Sequence, residues 1–140
     1  MSEVAPLSPE IIQTVITQYF AATRSANKAD EMVACFAKDT VSYDPVGTPA
    51  KQGHAQLHAF FQQIAALFVK VELCEEFITI NGDEAAVKWT GRGIGHNGRA
   101  VTFEGIDLFE FNNEGKIQSL KAYWNPAVIL AELQEGSDIS

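Results

Sequence analysis

Three turn signals divide the second half of this chain and limit what it can fold into: Asn81-Gly82-Asp83, His96-Asn97-Gly98 and Asn112-Asn113-Glu114-Gly115. Each joins asparagine or aspartate to glycine, the combination that tolerates the backbone of a tight hairpin turn. Between them lie four runs with strand character, near Val69–Ile80, Ala85–Gly93, Arg99–Phe111 and Lys116–Trp124. They read as an antiparallel meander.

The first half has a different period. Ser8-Pro9-Glu10 offers a capping hydroxyl, a proline for the first helical position and an acid. Ile12, Val15, Ile16, Tyr19, Ala22 and Thr23 then recur at three and four residues, which predicts a helix with one inward stripe ending near Ser25-Ala26-Asn27. Asp30 can cap a second, shorter helix carrying Met32, Val33, Cys35 and Phe36. A short extended run from Thr40 to Asp44 is stopped by Pro45-Val46-Gly47-Thr48-Pro49, and the proline holds Asp44 extended at the strand end. A third helix is predicted from about His54 to Phe68, with Leu57, Phe60, Phe61, Ile64 and Leu67 on one side. Helices first and a meander afterwards predict an α+β fold, with the helices packed on one face of a curved sheet.

At 140 residues, 46% of them hydrophobic, the chain is expected to form one domain with its core at about 8–130 and both ends frayed, including the polar tail Glu132–Ser140. A net charge of −8 and a pI near 4.7 argue against a nucleic-acid partner and against an anionic membrane surface. No apolar run reaches the roughly 18 residues of a membrane span. MSEVAPLSPE lacks the basic start and apolar stretch of a leader, so a cytoplasmic location is expected. Cys35 and Cys74 have no metal-ligand spacing and read as buried free thiols. His54 and His58 share a helix face, but no third ligand follows in step, so no metal is expected. Gly91-Arg92-Gly93-Ile94-Gly95 lies inside a strand-like run and lacks the strand-to-helix setting of a phosphate loop. No serine or cysteine nucleophile elbow is present.

The chemistry points to one segment. In VTFEGIDLFEF, residues 101 to 111, strand period puts Val101, Phe103, Gly105, Asp107, Phe109 and Phe111 on one face. Asp107 stands in the middle of that apolar face. An acid there is either paired, with Lys116 and Lys121 as the available cations, or protonated, because a lone buried charge is too costly. Tyr19 lies on an inward helical stripe and reads equally as a core tyrosine. Asp44 before Pro45 reads equally as a turn residue. Taken together, an ionised carboxylate near solvent and two neutral donors are what proton transfer beside a carbonyl requires: a base at carbon and donors at oxygen.

On Ser42-Tyr43-Asp44-Pro45-Val46-Gly47, Gly105-Ile106-Asp107, Ala122-Tyr123-Trp124 and Gln18-Tyr19, the chain resembles the Δ5-3-ketosteroid isomerase family. That family sits within the cone-shaped folds that include nuclear transport factor 2 and the SnoaL-type polyketide cyclases. The likeness spans about Ile11 to Val128. It implies a cone-shaped curved antiparallel sheet with three N-terminal helices on its concave face. It implies Asp44 as the general base that lifts a proton from carbon 4 of a β,γ-unsaturated 3-ketosteroid and returns it at carbon 6. It implies Tyr19 and Asp107 as donors to the dienolate oxygen; the pairing of a tyrosine with a protonated aspartate is this family's known chemistry. Trp89 and Trp124 are implied as walls of the slot, with Phe36, Phe61 and Phe103 as further lining. No cofactor or metal is implied, the partner is a small apolar ligand such as an enolisable ketone, and a homodimer through the outer sheet face is expected.

The chain also departs from that family. Two positions that can carry supporting tyrosines hold Phe36 and Phe61, and Gly91, Gly93 and Gly95 share the inward phase with Val87 and Trp89, where they are expected to remove wall. The fold hosts many functions. A polyketide cyclase or other enzyme, and a non-catalytic module for a flat apolar ligand, therefore stand beside the isomerase as expectations.

Overall fold

A computed structural model describes residues 7–134. In chain order the elements are α1 (Pro9–Ala22), α2 (Lys28–Val33), β1 (Phe36–Tyr43), β2 (Lys51–Gln52), α3 (Gly53–Ala66), β3 (Phe68–Asn81), β4 (Glu84–Gly95), β5 (Ala100–Phe111), β6 (Ile117–Tyr123) and α4 (Pro126–Gln134). The strands form a curled, unclosed sheet in the order β2-β1-β6-β5-β4-β3.

The meander forms as its turn residues dictate. Gly82, Gly98 and Gly115 take φ of 62°, 81° and 79°, values that glycine reaches without steric cost. β3 to β6 pair antiparallel in sequence, with Val87 opposite Asp107 and Trp89 opposite Gly105. The sheet is not wholly antiparallel, however: β1 lies parallel to β6. Hairpin turns fix the directions of β3 to β6 relative to one another. They say nothing of β1, which joins the meander only through α3.

Ser8 caps α1 by accepting the Ile11 amide at 3.2 Å, with Pro9 at the first helical position. α1 ends at Ala22, before the predicted Ser25–Asn27, because Thr23 is drawn to β3. Its hydroxyl lies 2.6 Å from the Phe20 carbonyl and accepts the Leu73 amide at 3.0 Å. α2 starts from Asn27 rather than Asp30, which sits in its first turn and bonds His58. Phe36, predicted on this helix, instead opens β1, and Phe68, predicted to end the third helix, opens β3. Both are aromatic residues at a helix–strand junction, where burial against the sheet outweighs helical periodicity.

α4 is an element the sequence reading missed. Glu132–Gln134, expected to fray, are helical, and residues 135–140 and 1–6 lie outside the described part. The local signal was present: Asn125 accepts the Ala127 amide at 3.1 Å and Pro126 takes the first helical position, as Ser8-Pro9 does in α1. Asn97 donates to the Leu133 carbonyl at 2.8 Å and Arg99 pairs with Glu132 at 3.4 Å, which ties α4 to the β4–β5 hairpin. No described helix is long and apolar enough to cross a membrane.

The core lies between the inward sheet face and the helices. Ile12, Ile16, Phe20, Leu57, Val87, Phe109, Ile117 and Leu120 are fully or almost fully buried. Along β5 burial alternates as the period predicts, with Val101, Gly105, Asp107, Phe109 and Phe111 buried and their neighbours exposed.

The inward glycines do not thin the wall, contrary to expectation. Each is a slot across which a neighbouring side chain lies. A Cβ built on Gly91 would meet the Phe103 ring at 2.4 Å, and one on Gly93 the Phe68 ring at 2.7 Å. Gly95 receives Asn97 and Leu133, and Gly105 receives Trp89, whose Cζ2 would stand 2.3 Å from a Cβ there. Gly105→Ala also meets a backbone atom, the Tyr123 carbonyl at 2.7 Å, so relief by rotating a side chain is blocked. The expected loss is about 1–3 kcal/mol by urea denaturation. A change within about 0.5 kcal/mol, ordinary for a surface site, would show that the slot is loose.

Candidate active site

One largely apolar cavity opens between the inward sheet face and the helices, leaving about 170 Å³ to the centres of water-sized spheres. That is roughly ten times what a single water needs, so a multi-ring ligand is of the right order. Its wall includes Phe60, Phe61, Phe68, Leu73, Trp89, Phe103, Trp124 and, from α4, Ile129 and Leu130. Tyr19, Asp44 and Asp107 line the same cavity.

Of the residues singled out in the sequence, Trp89, Trp124, Phe61 and Phe103 stand on the cavity wall. Phe36 does not. It packs edge-on behind Tyr19, with ring centroids 5.7 Å apart, and against Phe61 at 6.1 Å. Its place at the start of β1 turns it into the core.

Tyr19 is 2% exposed, boxed by the rings of Phe20, Phe36, Phe61 and Phe109. Burial pushes its phenol well above its ordinary pKa, and Asp107, Asp44 and Cys35 add in that order. It is therefore a neutral donor at neutral pH.

Asp107 is 2% exposed on β5. Burial pushes its carboxyl well above the usual carboxylate range and the nearby Asp44 pushes it further, while the Trp89 indole pulls the other way. Neither lysine reaches it. Lys116 donates to the Ala34 carbonyl at 3.0 Å, and Lys121 is exposed opposite Leu108 on the outer face. Asp107 makes no ion pair among the described residues, so burial favours its protonated form, which can donate.

Asp44 differs from expectation. A turn residue near solvent should keep an ordinary pKa, yet Asp44 is only 7% exposed, and burial raises it from 3.8 to about 6. The cause is tertiary. The loop after β1 folds against β6, with the Val46 amide on the Ala122 carbonyl at 2.8 Å, and Trp124 follows directly. The Trp124 indole donates to Asp44 Oδ1 at 2.7 Å and restrains the rise, with Lys51 adding a smaller pull. The sequence reading cast Trp124 only as an apolar wall and missed this bond.

The remaining candidates have structural partners. His54 bonds the Phe36 carbonyl at 2.9 Å, and His58 bonds Asp30. Cys35 is a buried free thiol as expected, whereas Cys74 is only half-buried. The cavity thus holds one carboxyl that ionises near neutrality and two groups that keep their protons, an arrangement able to accept a proton from carbon while donating to oxygen.

Known proteins share this architecture. A steroid Δ-isomerase of Nocardioides simplex is 25% identical over 116 residues, which cover 82% of this chain and 90% of that protein. A protein of Jannaschia sp. CCS1 assigned as a SnoaL-like polyketide cyclase superposes with a TM-score of 0.79 at 16% identity, covering 94% of this chain and 98% of that one. SalBIII, an epoxide hydrolase/cyclase-like enzyme of pyran ring formation in salinomycin, superposes with a TM-score of 0.74 at 21% identity, covering 84% and 93%. The family model for the SnoaL-like domain matches residues 16–120, and with the curled sheet and its helical cover this chain belongs to that family.

Proposed function

We propose that the protein is an isomerase that moves a carbon–carbon double bond into conjugation with a ketone. The reading rests on one observation above the others: Tyr19, Asp44 and Asp107 line one apolar cavity, and neither carboxyl is ion-paired to a cation among the described residues. Asp44 takes the proton from the carbon between carbonyl and alkene. Negative charge moves to the ketone oxygen, where Tyr19 and Asp107 donate to it. Asp44 then returns the proton at the far end of the dienolate. Water exclusion by the aromatic wall strengthens both donor bonds. The expected substrate class is a β,γ-unsaturated ketone on a flat apolar skeleton, of which a Δ5-3-ketosteroid is the first to test. The gain of conjugated-enone absorbance reads the reaction directly. An outer sheet face exposing Ile106, Leu108 and Tyr123 supports a homodimer as part of this reading, checked by sedimentation.

The base must be ionised, so kcat/KM should fall as pH drops through about 6, where Asp44 takes up its proton. Trp124→Phe removes the N–H that favours the ionised form. Its acid limb should move to higher pH by about one unit, with the plateau at high pH changed less. A limb that stays in place would mean that the 2.7 Å bond does not tune the base.

A second reading draws on the same two carboxyls. Asp44 as base and Asp107 as acid can also close a ring on a polyketide, the chemistry suggested by the cyclase neighbours. A protein inert towards the ketosteroid but active on an aromatic polyketide ester would favour it.

A further inference from the structure

Among the described residues two buried side-chain polar atoms have no hydrogen-bond partner, Ser42 Oγ and the Trp89 indole nitrogen, and of these two residues only Trp89 lines the cavity. Trp89 is 3% exposed. A buried donor left unpaired is destabilising and calls for an explanation. The ring is not free to seek a partner elsewhere. It lies in the slot of Gly105, where Cζ2 and Cε2 approach an added Cβ to 2.3 and 2.8 Å, and the Phe103 ring abuts it edge-on at 5.9 Å. Cε2 is the carbon that carries the indole nitrogen. Gly105 is Trp89's cross-strand partner, and Asp107 follows two residues along on the same inward face. The register thus sets the indole diagonally beside the Asp107 carboxyl, where an N–H favours the ionised form.

We propose that Trp89 is a positioning residue: its indole N–H is the fixed partner of one Asp107 oxygen, so that the other oxygen carries the proton and turns it towards the ligand. The inference deepens the reading of the site given above and rests on Asp107 acting as a donor. A carboxylic acid has two oxygens, and only one can present the proton. With the carbonyl oxygen held by an N–H that lacks any other partner, the hydroxyl is the one left to face the cavity. Asp44 is arranged alike, with the Trp124 indole on one oxygen at 2.7 Å. The other titratable groups facing Asp107 are Tyr19 from α1 and Asp44 from the end of β1. Neither is a cation that competes for the same oxygen.

The test needs no turnover. Trp89→Phe keeps an aromatic ring and removes the N–H. A second variant, with a benzothiophene side chain in place of the indole, keeps the bicyclic shape and removes only the N–H. With 2-naphthol as a flat phenolic probe and naphthalene as its neutral counterpart, both variants should bind 2-naphthol about 5- to 10-fold more weakly, as for a lost or misdirected hydrogen bond, and naphthalene unchanged. In an Asp107→Leu background the Trp89 substitutions should have no further effect on 2-naphthol. Without ligand, the Trp89 indole N–H proton resonance of Asp107→Leu should lie upfield of its wild-type position.

Equal loss for both probes, or an undiminished Trp89 effect in the Asp107→Leu background, would assign Trp89 to the wall alone. An indole resonance indifferent to Asp107→Leu would overturn the proposal even if 2-naphthol binds too weakly to measure. Failure of the isomerase reading appears separately, as an inert ketosteroid assay with the probe cycle intact.

Discussion

Asp44→Asn should lower the rate of double-bond migration by about 10³- to 10⁴-fold, the upper range for removing a positioned base, while making the protein more stable. The first effect follows from chemistry, since an amide cannot accept the proton from carbon. The second follows from linkage. Burial lifts the Asp44 pKa from 3.8 to about 6, so the folded state holds its proton more tightly than the unfolded chain does. Stability from that proton is fully present below the ordinary carboxylate pKa and is lost as pH rises through about 6. Asparagine does not titrate and can still accept from Trp124. The variant should therefore gain on the wild type between pH 4 and 6 and hold a plateau of up to about 3 kcal/mol above that, at 1.36 kcal/mol per unit. Urea denaturation at pH 4 and pH 8, beside the enone assay at pH 8, checks both. Retained turnover would remove Asp44 as the base, and a stability gain independent of pH would mean that the carboxyl is not perturbed in the folded state.

Asp107→Leu is the second large effect expected. Leucine fills a similar volume with nothing to donate, and loss of one oxyanion donor costs about 10²- to 10³-fold in kcat. Asp107→Asn keeps an N–H donor and should lose less. The leucine variant should also gain stability relative to wild type as pH rises above the ordinary carboxylate range, because burial raises the Asp107 pKa and the proton it must keep becomes progressively harder to hold. Substrate Kd and kcat measured separately for the three proteins distinguish this from a packing defect: a transition-state donor moves kcat more than binding. Equal kcat for leucine and wild type would leave Tyr19 as the sole donor.

Trp124 sets the balance between these two carboxyls. Its indole donates to Asp44 Oδ1 at 2.7 Å, while burial and the nearby Asp44 hold Asp107 well above the usual carboxylate range. Asp44 ionises at about 6, whereas burial and the Asp44 charge favour the protonated form of Asp107. Two carboxyls in one apolar cavity repel each other when both are charged, so lowering one favours the neutral form of the other. Their separation in pKa is what permits a base and an acid to share so small a space.

The glycines show where reading side chains one strand at a time falls short. Gly91, Gly93 and Gly95 look like missing wall along β4. Phe103 and Phe68 cross from β5 and β3 to lie over Gly91 and Gly93, while Asn97 and Leu133 cover Gly95 from the β4–β5 turn and α4. Register, not composition, decides which ring meets which slot, and register comes from the hairpins together with the breaks in the β3–β4 ladder between Phe68 and Lys70 and between Glu75 and Phe77.

The sequence by itself determined whatever rests on local rules. Glycine and asparagine placed the turns, period two put Asp107 on the inward face of β5, and period three to four put Tyr19 on the inward face of α1. These follow from backbone sterics and from water's exclusion of apolar faces, which act within a few residues. Only the tertiary structure decided that Asp44 is buried, that an indole 80 residues away holds it, that β1 runs parallel to β6, and that α4 closes the cavity. Each depends on desolvation and contact between segments distant in sequence, quantities that no local pattern carries.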